Sequence, residues 1–350
     1  MTRQPAPVLL VLDDREGLVR TAPGMKALGE LCDVRVVDRP LQDVPDEDLT
    51  DVRVLLAVRE RTKLDAATLR RFPRLELLLQ TGTHAYHVDA EELARRNIPV
   101  ALGRRAQAVR AAVPELTLLL MLACMRRLGE ASKALGRGEW PALVGRTLAG
   151  RRVGVLGLGR HGLRVAELCR VLGTEVVSWD RAGDQEGGAA PTGRPGPDGI
   201  LLLPLREVLA TSDVVSVHLR LSDESRGLLD GERLRQMKAG SVLVNTSRGA
   251  MVDEQALLDV LRTGPLGAAG LDVFAEEPLP PAHPLRTLPN VVLTPHVGWT
   301  TEEVLTEYAE IAAQQATDYL AGDLDPDDLL DRGVLPGPDA LGGLRRAVQS

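Results

Sequence analysis

Short apolar, β-branched runs alternate with stretches of helical composition along most of the chain. Residues 8–12, 34–37, 54–58, 75–79 and 98–101 read as strands, and 65–71 and 89–96 between them have helical composition. Strand–helix–strand alternation implies a parallel sheet with helices on both faces. The first 107 residues therefore predict one small doubly wound lobe. Residues 108–128 form a long helical pattern whose apolar density over 116–125 predicts burial on most faces, between lobes or subunits. A second alternating series follows at 153–156, 175–179, 214–217, 241–245, 268–273 and 291–293, a second parallel sheet and the better defined one. Residues 182–199, rich in Gly and Pro, read as a surface loop. Residues 322–350, rich in Asp, Gly and Pro, predict a weakly ordered tail.

Composition narrows the class. A length of 350 residues suits about two domains, and 44% hydrophobic with 26% charged residues is enough apolar material for two cores. The net charge of −7 argues against the basic face that nucleic acid requires. The longest apolar run, 118–125, is far short of the ~20 residues that cross a bilayer, and the first twelve residues lack a signal-peptide pattern. Three widely spaced cysteines suit neither a zinc site nor a disulfide framework. The expectation is a cytoplasmic protein with a small-molecule partner, no nucleic acid, no membrane and no metal.

Candidate chemistry begins after the strand 152–156. There Gly157-Leu158-Gly159-Arg160-His161-Gly162 is followed by a helical segment to residue 172, a GxGxxG with a strand before and a helix behind it. Gly157 permits the tight turn, Gly159 lets a pyrophosphate approach the backbone, and Gly162 allows close helix–strand packing. The helix start offers free N–H groups to the phosphates, so Arg160 and His161 join the cofactor-binding candidates. For His161, which stands where an aliphatic residue is usual, packing outweighs phosphate contact. Asp180 ends the next strand, and an acid there accepts hydrogen bonds from both adenosine ribose hydroxyls and repels a 2′-phosphate, which favours NAD over NADP. Arg181 beside it softens that preference. The motif alone also serves flavoproteins and methyltransferases; its flanking strand, helix and acid select a dinucleotide.

Three further segments end or follow strands of the same sheet: 245–249 (NTSRG), 271–278 (LDVFAEEP) and 294–298 (TPHVG). Open parallel sheets bind ligands beyond the carboxyl ends of their strands, so these positions can converge. In this order after GxGxxG, they resemble the D-isomer-specific 2-hydroxyacid dehydrogenase family, over about residues 50–325 and most strongly over 154–298. The resemblance implies an α/β fold of two flavodoxin- or Rossmann-like doubly wound parallel-sheet lobes with the active site in the cleft. The cofactor lobe is inserted into the substrate lobe, giving a substrate domain of 1–107 and 296–325, an NAD-binding domain of 108–295 and a tail of 326–350. A helix over about 301–321 returns to the first lobe.

Matched motif by motif, the resemblance implies Arg248 as the catalytic arginine, Glu277 (immediately before the proline, not Glu276) as the acid, and His296 as the acid/base. Thr246 and Asp272 fall where the family lines the nicotinamide ribose and carboxamide pocket. The chemistry suits these residue types. A planar guanidinium grips the carboxylate and ketone oxygens of a 2-oxo acid and polarises the carbonyl. Hydride from the nicotinamide reaches the ketone carbon, and an imidazole protonates the developing alkoxide. A carboxylate on its other nitrogen fixes the tautomer and stabilises the imidazolium. Singly, an Arg, a Glu or a His is more often a surface or structural residue; their weight lies in occurring together at three strand ends.

In the first lobe Thr81-Gly82-Thr83 follows a strand, and successive N–H groups in such a turn cradle a carboxylate. The resemblance puts the substrate carboxylate at this kind of loop, so Gly82 and Thr83, with Arg248, are the substrate-side candidates. His84, Tyr86 and His87 either set side-chain preference or are surface loop residues, in equal balance. Arg104 and Arg105 replace the family's usual turn before the long helix, and facing water outweighs contact with an acidic substrate. The chain ends about 30 residues past the last predicted helix, with no room expected for the regulatory domain of long 3-phosphoglycerate dehydrogenases. The expected activity is an NAD-dependent D-2-hydroxyacid dehydrogenase or 2-oxoacid reductase, a homodimer by resemblance and by its apolar helix. The alternatives are an NADH-sensing, corepressor-like binding protein and a phosphite-type dehydrogenase on the same fold.

Overall fold

The computed structural model describes residues 6–182 and 193–330. The chain gathers into two units, one of Met1–Ala108 with Glu302–Ser350 and one of Val109–Thr301. In the first, β1 (Val8–Leu12), β2 (Asp33–Val37), β3 (Val52–Ala57), β4 (Leu77–Gln80) and β5 (Val100–Leu102) form a parallel sheet in the order β2-β1-β3-β4-β5. β1 and β4 are buried at every position, which is why they read as unbroken apolar runs: a parallel sheet is covered on both faces. The helices Ala66–Arg70 and Ala90–Arg95 start at Asp65 and Asp89, whose carboxylates accept the Thr68 and Glu92 N–H groups. Helix Glu302–Ala321 packs on helix Pro23–Leu28 and on β4. It is pinned by Glu310 accepting the Gly24 N–H at 2.9 Å and by Gln315 donating to the Leu102 carbonyl at 3.0 Å.

The start of the expected weakly ordered tail is folded. The Leu330 N–H donates to the Val100 carbonyl at 2.8 Å and Leu329 bridges to Ala101, extending the β5 edge. Arg105 Nε donates to Asp328 at 2.9 Å, and Arg104 donates to the Asp327 and Leu329 carbonyls at 3.1 and 3.0 Å. These two arginines therefore fasten a chain segment, where the sequence left them facing water or an acidic substrate. Residues 331–350 lie outside the described residues.

The second unit holds β6 (Arg152–Leu156), β7 (Glu175–Trp179), β8 (Arg194–Pro195), β9 (Leu201–Leu203), β10 (Val214–Val217), β11 (Val242–Asn245), β12 (Ala268–Leu271) and β13 (Val291–Leu293). Their order is β13-β12-β11-β10-β6-β7-β9-β8, parallel except for the β8–β9 hairpin. The chain runs from β6 outward through β7 and then returns to β10 on the other side. The strand order thus reverses at β6 and β10, and a crevice opens beyond their carboxyl ends. β8 lies within the segment read as a loop, and 183–192 of that segment are outside the described residues.

The expected helix over 108–128 is Val109–Met125, and a second helix that the sequence reading did not foresee, Leu128–Gly136, follows it. They break at Arg127, which takes a left-handed φ of 54° and pairs with Glu130 one turn on. Over 116–125 the first helix is largely buried, as expected: Thr117, Leu120, Met121, Ala123, Cys124 and Met125 are buried, and Leu119 and Leu122 are exposed. Its buried face lies on β12 at Gly270, where an added Cβ would stand 2.9 Å from the Leu120 Cβ. No helix of the described residues is long and apolar enough to cross a membrane.

Candidate active site

The glycine turn fits a dinucleotide on steric grounds. Gly157 has φ 103°, and a Cβ there would come within 2.8 Å of the His218 carbonyl oxygen. A Cβ on Gly162 would collide with the Gly157 carbonyl oxygen, so these two glycines close the turn onto helix Arg160–Val171. At Gly159, the residue capping that helix, nothing lies within 4 Å of an added Cβ, and no side chain caps the helix N–H groups. The turn therefore presents open backbone and unclaimed donors where a pyrophosphate approaches. Beneath it lies His218, whose Nε2 is 2.8 Å from Ser216 Oγ and whose pKa is pushed down to about 3 by burial and by the nearby His161. Burial, then the charges of Arg160 and Arg110, also lower the His161 pKa, so both imidazoles are neutral packing groups at pH 7.

Asp180 directly follows β7, and its N–H donates to the Leu203 carbonyl at 2.7 Å. Its carboxylate is held by a residue the sequence did not signal: Arg194 donates through Nε at 2.6 Å and Nη2 at 2.7 Å. Arg181, expected to soften cofactor preference, is ion-paired with Glu224.

Beyond β11, Asn245 folds the chain back on itself. Its Oδ1 accepts the Ser247 N–H and its Nδ2 donates to the Arg248 carbonyl, both at 3.0 Å. Gly249 lets this turn lie against Phe274, with which a Cβ would collide. Glu277 thereby stands within the field of Arg248. Its Oε1 accepts the Phe274 N–H at 2.9 Å, and its Oε2 is 2.6 Å from His296 Nδ1. Burial opposes the Glu277 charge, but the His296 hydrogen bond and charge, the Phe274 N–H and the Arg248 charge outweigh it and hold the carboxyl below its ordinary 4.5.

His296 has a left-handed φ of 55°, a conformation that costs free energy unless its surroundings enforce it. Asp272 enforces it. Its buried carboxylate accepts from Thr294 Oγ1 at 2.6 Å and from the Val297 and Gly298 N–H groups at 2.9 Å, gripping the turn on both sides of His296. Burial pushes the Asp272 pKa up, only partly offset by these donors and by His296. The grip also explains why 296–301 group with the second unit, where the sequence reading began the return to the first lobe at 296. The Thr246 hydroxyl lies 2.9 Å from that of Thr117 on helix Val109–Met125.

In the first unit, Gly82 has φ 103°, and a Cβ there would collide with the guanidinium of Arg59. Arg59 was missed by the sequence reading; its N–H donates to Thr81 Oγ1 at 2.8 Å, and its own φ is 62°. The polar cluster after this loop divides. His84 and Tyr86 stack with ring centroids 5.1 Å apart, whereas His87 turns both ring nitrogens inward, and burial lowers its pKa.

Comparison with known proteins bears on this geometry. A family model described as D-isomer specific 2-hydroxyacid dehydrogenase, NAD binding domain, matches residues 118–298. The chain is 34% identical over 325 residues to a glyoxylate reductase of Thermofilum pendens, covering 89% of this chain and 92% of that one. It is 36% identical over 337 residues to a D-3-phosphoglycerate dehydrogenase of Mycobacterium leprae, covering 94% of this chain but spanning only 60% of that relative's length. Among solved structures, D-lactate dehydrogenase of Aquifex aeolicus complexed with NAD and lactic acid aligns at a TM-score of 0.75 with 25% identity, over 94% of this chain and all of that one.

Proposed function

The chain belongs to the D-isomer-specific 2-hydroxyacid dehydrogenase family, and on that premise we propose that it interconverts a D-2-hydroxy acid and a 2-oxo acid with His296 as the acid–base group. The observation that carries this is the 2.6 Å pair of His296 Nδ1 with Glu277, under the charge of Arg248 and in the same unit as the dinucleotide turn. Bound nicotinamide supplies the hydride. Arg248 grips the oxo acid and polarises its ketone. With Nδ1 committed to Glu277, His296 gives the Nε2 proton to the developing alkoxide, and in the oxidative direction takes it back at the same atom. Glu277 fixes that tautomer and stabilises the imidazolium.

Gly157, Gly159, Arg160, Gly162 and Asp180 hold the dinucleotide in this reading. His161 packs beneath them. Thr246 faces the nicotinamide end, and Asp272 acts by setting the His296 turn. Gly82 and Thr83 offer N–H groups to the substrate carboxylate, with the Arg59 guanidinium adding positive field at that loop. A second copy of the chain covers the apolar residues left exposed between 119 and 144, among them Leu119, Leu128, Leu135, Trp140 and Val144. Cys32, Cys124 and Cys169 are buried free thiols, which suits a reducing cytoplasm.

The test is oxidation of NADH by a panel of glyoxylate, pyruvate, hydroxypyruvate, phenylpyruvate and 2-oxoglutarate, with His296→Asn beside the wild type. One or more acids should be reduced, and the variant should lose ~10²–10⁴-fold in kcat while still binding NADH. Undiminished turnover by the variant would remove His296 from the role. NADH binding without turnover of any acid would favour a sensor or a phosphite-type substrate.

A further inference from the structure

The carboxylate expected to receive the adenosine ribose is already gripped. Asp180 stands at the end of β7, beside the strand that leads into the glycine turn, with 11% of its side chain exposed, and Arg194 holds both of its oxygens. A ribose diol spans about the same edge of a carboxylate as a bidentate guanidinium does. Asp180 therefore cannot keep Arg194 in this geometry and accept both ribose hydroxyls. The partner with room to turn is Arg194, whose side chain is 56% exposed on the two-residue edge strand β8. Arg181, the neighbouring cation, has its charge matched by Glu224 instead.

We propose that Arg194 selects the cofactor: it neutralises Asp180 in the free protein, and in the loaded protein it turns to the ribose 2′ position, where it is the cation for a 2′-phosphate, so that the chain accepts NADPH beside NADH. An acid alone at the end of this strand repels a 2′-phosphate. A guanidinium within reach offsets that repulsion, because it offers phosphate the same planar fork it gives the carboxylate. Towards NADH, Arg194 acts in the opposite sense, since Asp180 must release it before accepting the hydroxyls. Arg194 thus narrows the gap between the two dinucleotides from both sides.

The proposal rests on the reading that the 157–162 turn binds a dinucleotide, and its test reads binding alone. Wild type, Arg194→Gln and Arg194→Lys are titrated with NADH and with NADPH by nicotinamide fluorescence, with no oxo acid present. Wild type should bind NADPH within about tenfold of NADH, and Arg194→Gln should weaken NADPH by about tenfold or more, the scale of a lost charge-assisted hydrogen bond. The same variant should bind NADH as well as wild type or better, which also shows that it is folded, and Arg194→Lys should keep most of the NADPH affinity. An NADPH to NADH ratio unchanged in Arg194→Gln, or a wild type that binds NADH alone, overturns the proposal. Binding of neither dinucleotide removes the cofactor reading of the turn, and the proposal with it.

Discussion

The two oxygens of Glu277 serve different masters: Oε1 takes the Phe274 N–H and so fixes the carboxylate to its own loop, which frees Oε2 to aim the His296 ring. Because the folded-state pKa of Glu277 lies below 4.5, the stability it contributes is fully present above that pH and is lost as pH falls through the depressed value. Glu277→Gln should therefore melt below wild type at neutral pH, and the difference should close below pH 4.5. Thermal scans across pH check this; a gap that does not narrow as pH falls below 4.5 would mean the carboxylate charge is not what holds the pair. Glu277 and His296 were legible in the sequence because each stands in a short local motif whose neighbours, a proline and a glycine, mark it out. Arg194 was not, because its meaning comes from a partner fourteen residues away that its Gly- and Pro-rich surroundings do not announce. Asp272 lies between these cases: its position was legible, but its grip on the turn that carries His296 shows only in the hydrogen bonds.

Among the elements, the contact of helix Val109–Met125 with β12 shows how closely the second unit is fitted. β12 carries Gly270 at the crossing, and the helix approaches so near that an added Cβ would meet the Leu120 Cβ at 2.9 Å and Cys124 Sγ at 3.3 Å. Gly270→Val puts three carbons where not even one fits, and overpacking of this kind costs about 1–3 kcal/mol. For a protein of this size that should lower Tm by ~2–10 °C, as calorimetry would read. An unchanged Tm would mean that the helix yields freely and that the close fit carries no energy. Apart from β8 and β9, the strands of both sheets were legible to within a residue or two. β9 was not, since its three leucines, followed by a proline and a short helix, give no period to read. The second helix, Leu128–Gly136, was equally hidden, because the left-handed Arg127 that separates it from the first is neither glycine nor asparagine and leaves no compositional mark.

For the molecule as a whole, the unbalanced feature is apolar surface. Trp140 is 91% and Val144 84% exposed, and Leu119, Leu128 and Leu135 are each more than half exposed, all within one stretch of 26 residues from 119 to 144. Scattered exposed leucines are ordinary, and it is the gathering of these large apolar residues in one stretch that supports the proposed second copy over them. The sequence indicated this only by the density of the helix over 116–125 and by resemblance. It could not separate the face that covers β12 from the face left bare, because both are leucine-rich and only the helix phase relative to the sheet distinguishes them. The chain's net charge of −7 is modest enough for like copies to associate at physiological salt, where charges farther apart than about 8 Å are largely screened. Light scattering at micromolar concentration should therefore give twice the chain mass. Trp140→Asp with Val144→Asp should shift it to the single-chain mass, since two desolvated anchors commonly carry much of an interface's free energy. Both side chains are almost wholly exposed and neither belongs to the dinucleotide turn, so NADH binding should survive the change and show that the fold is intact. A wild type that is monomeric at that concentration would remove the second copy from the proposal, and would leave this surface to a different partner.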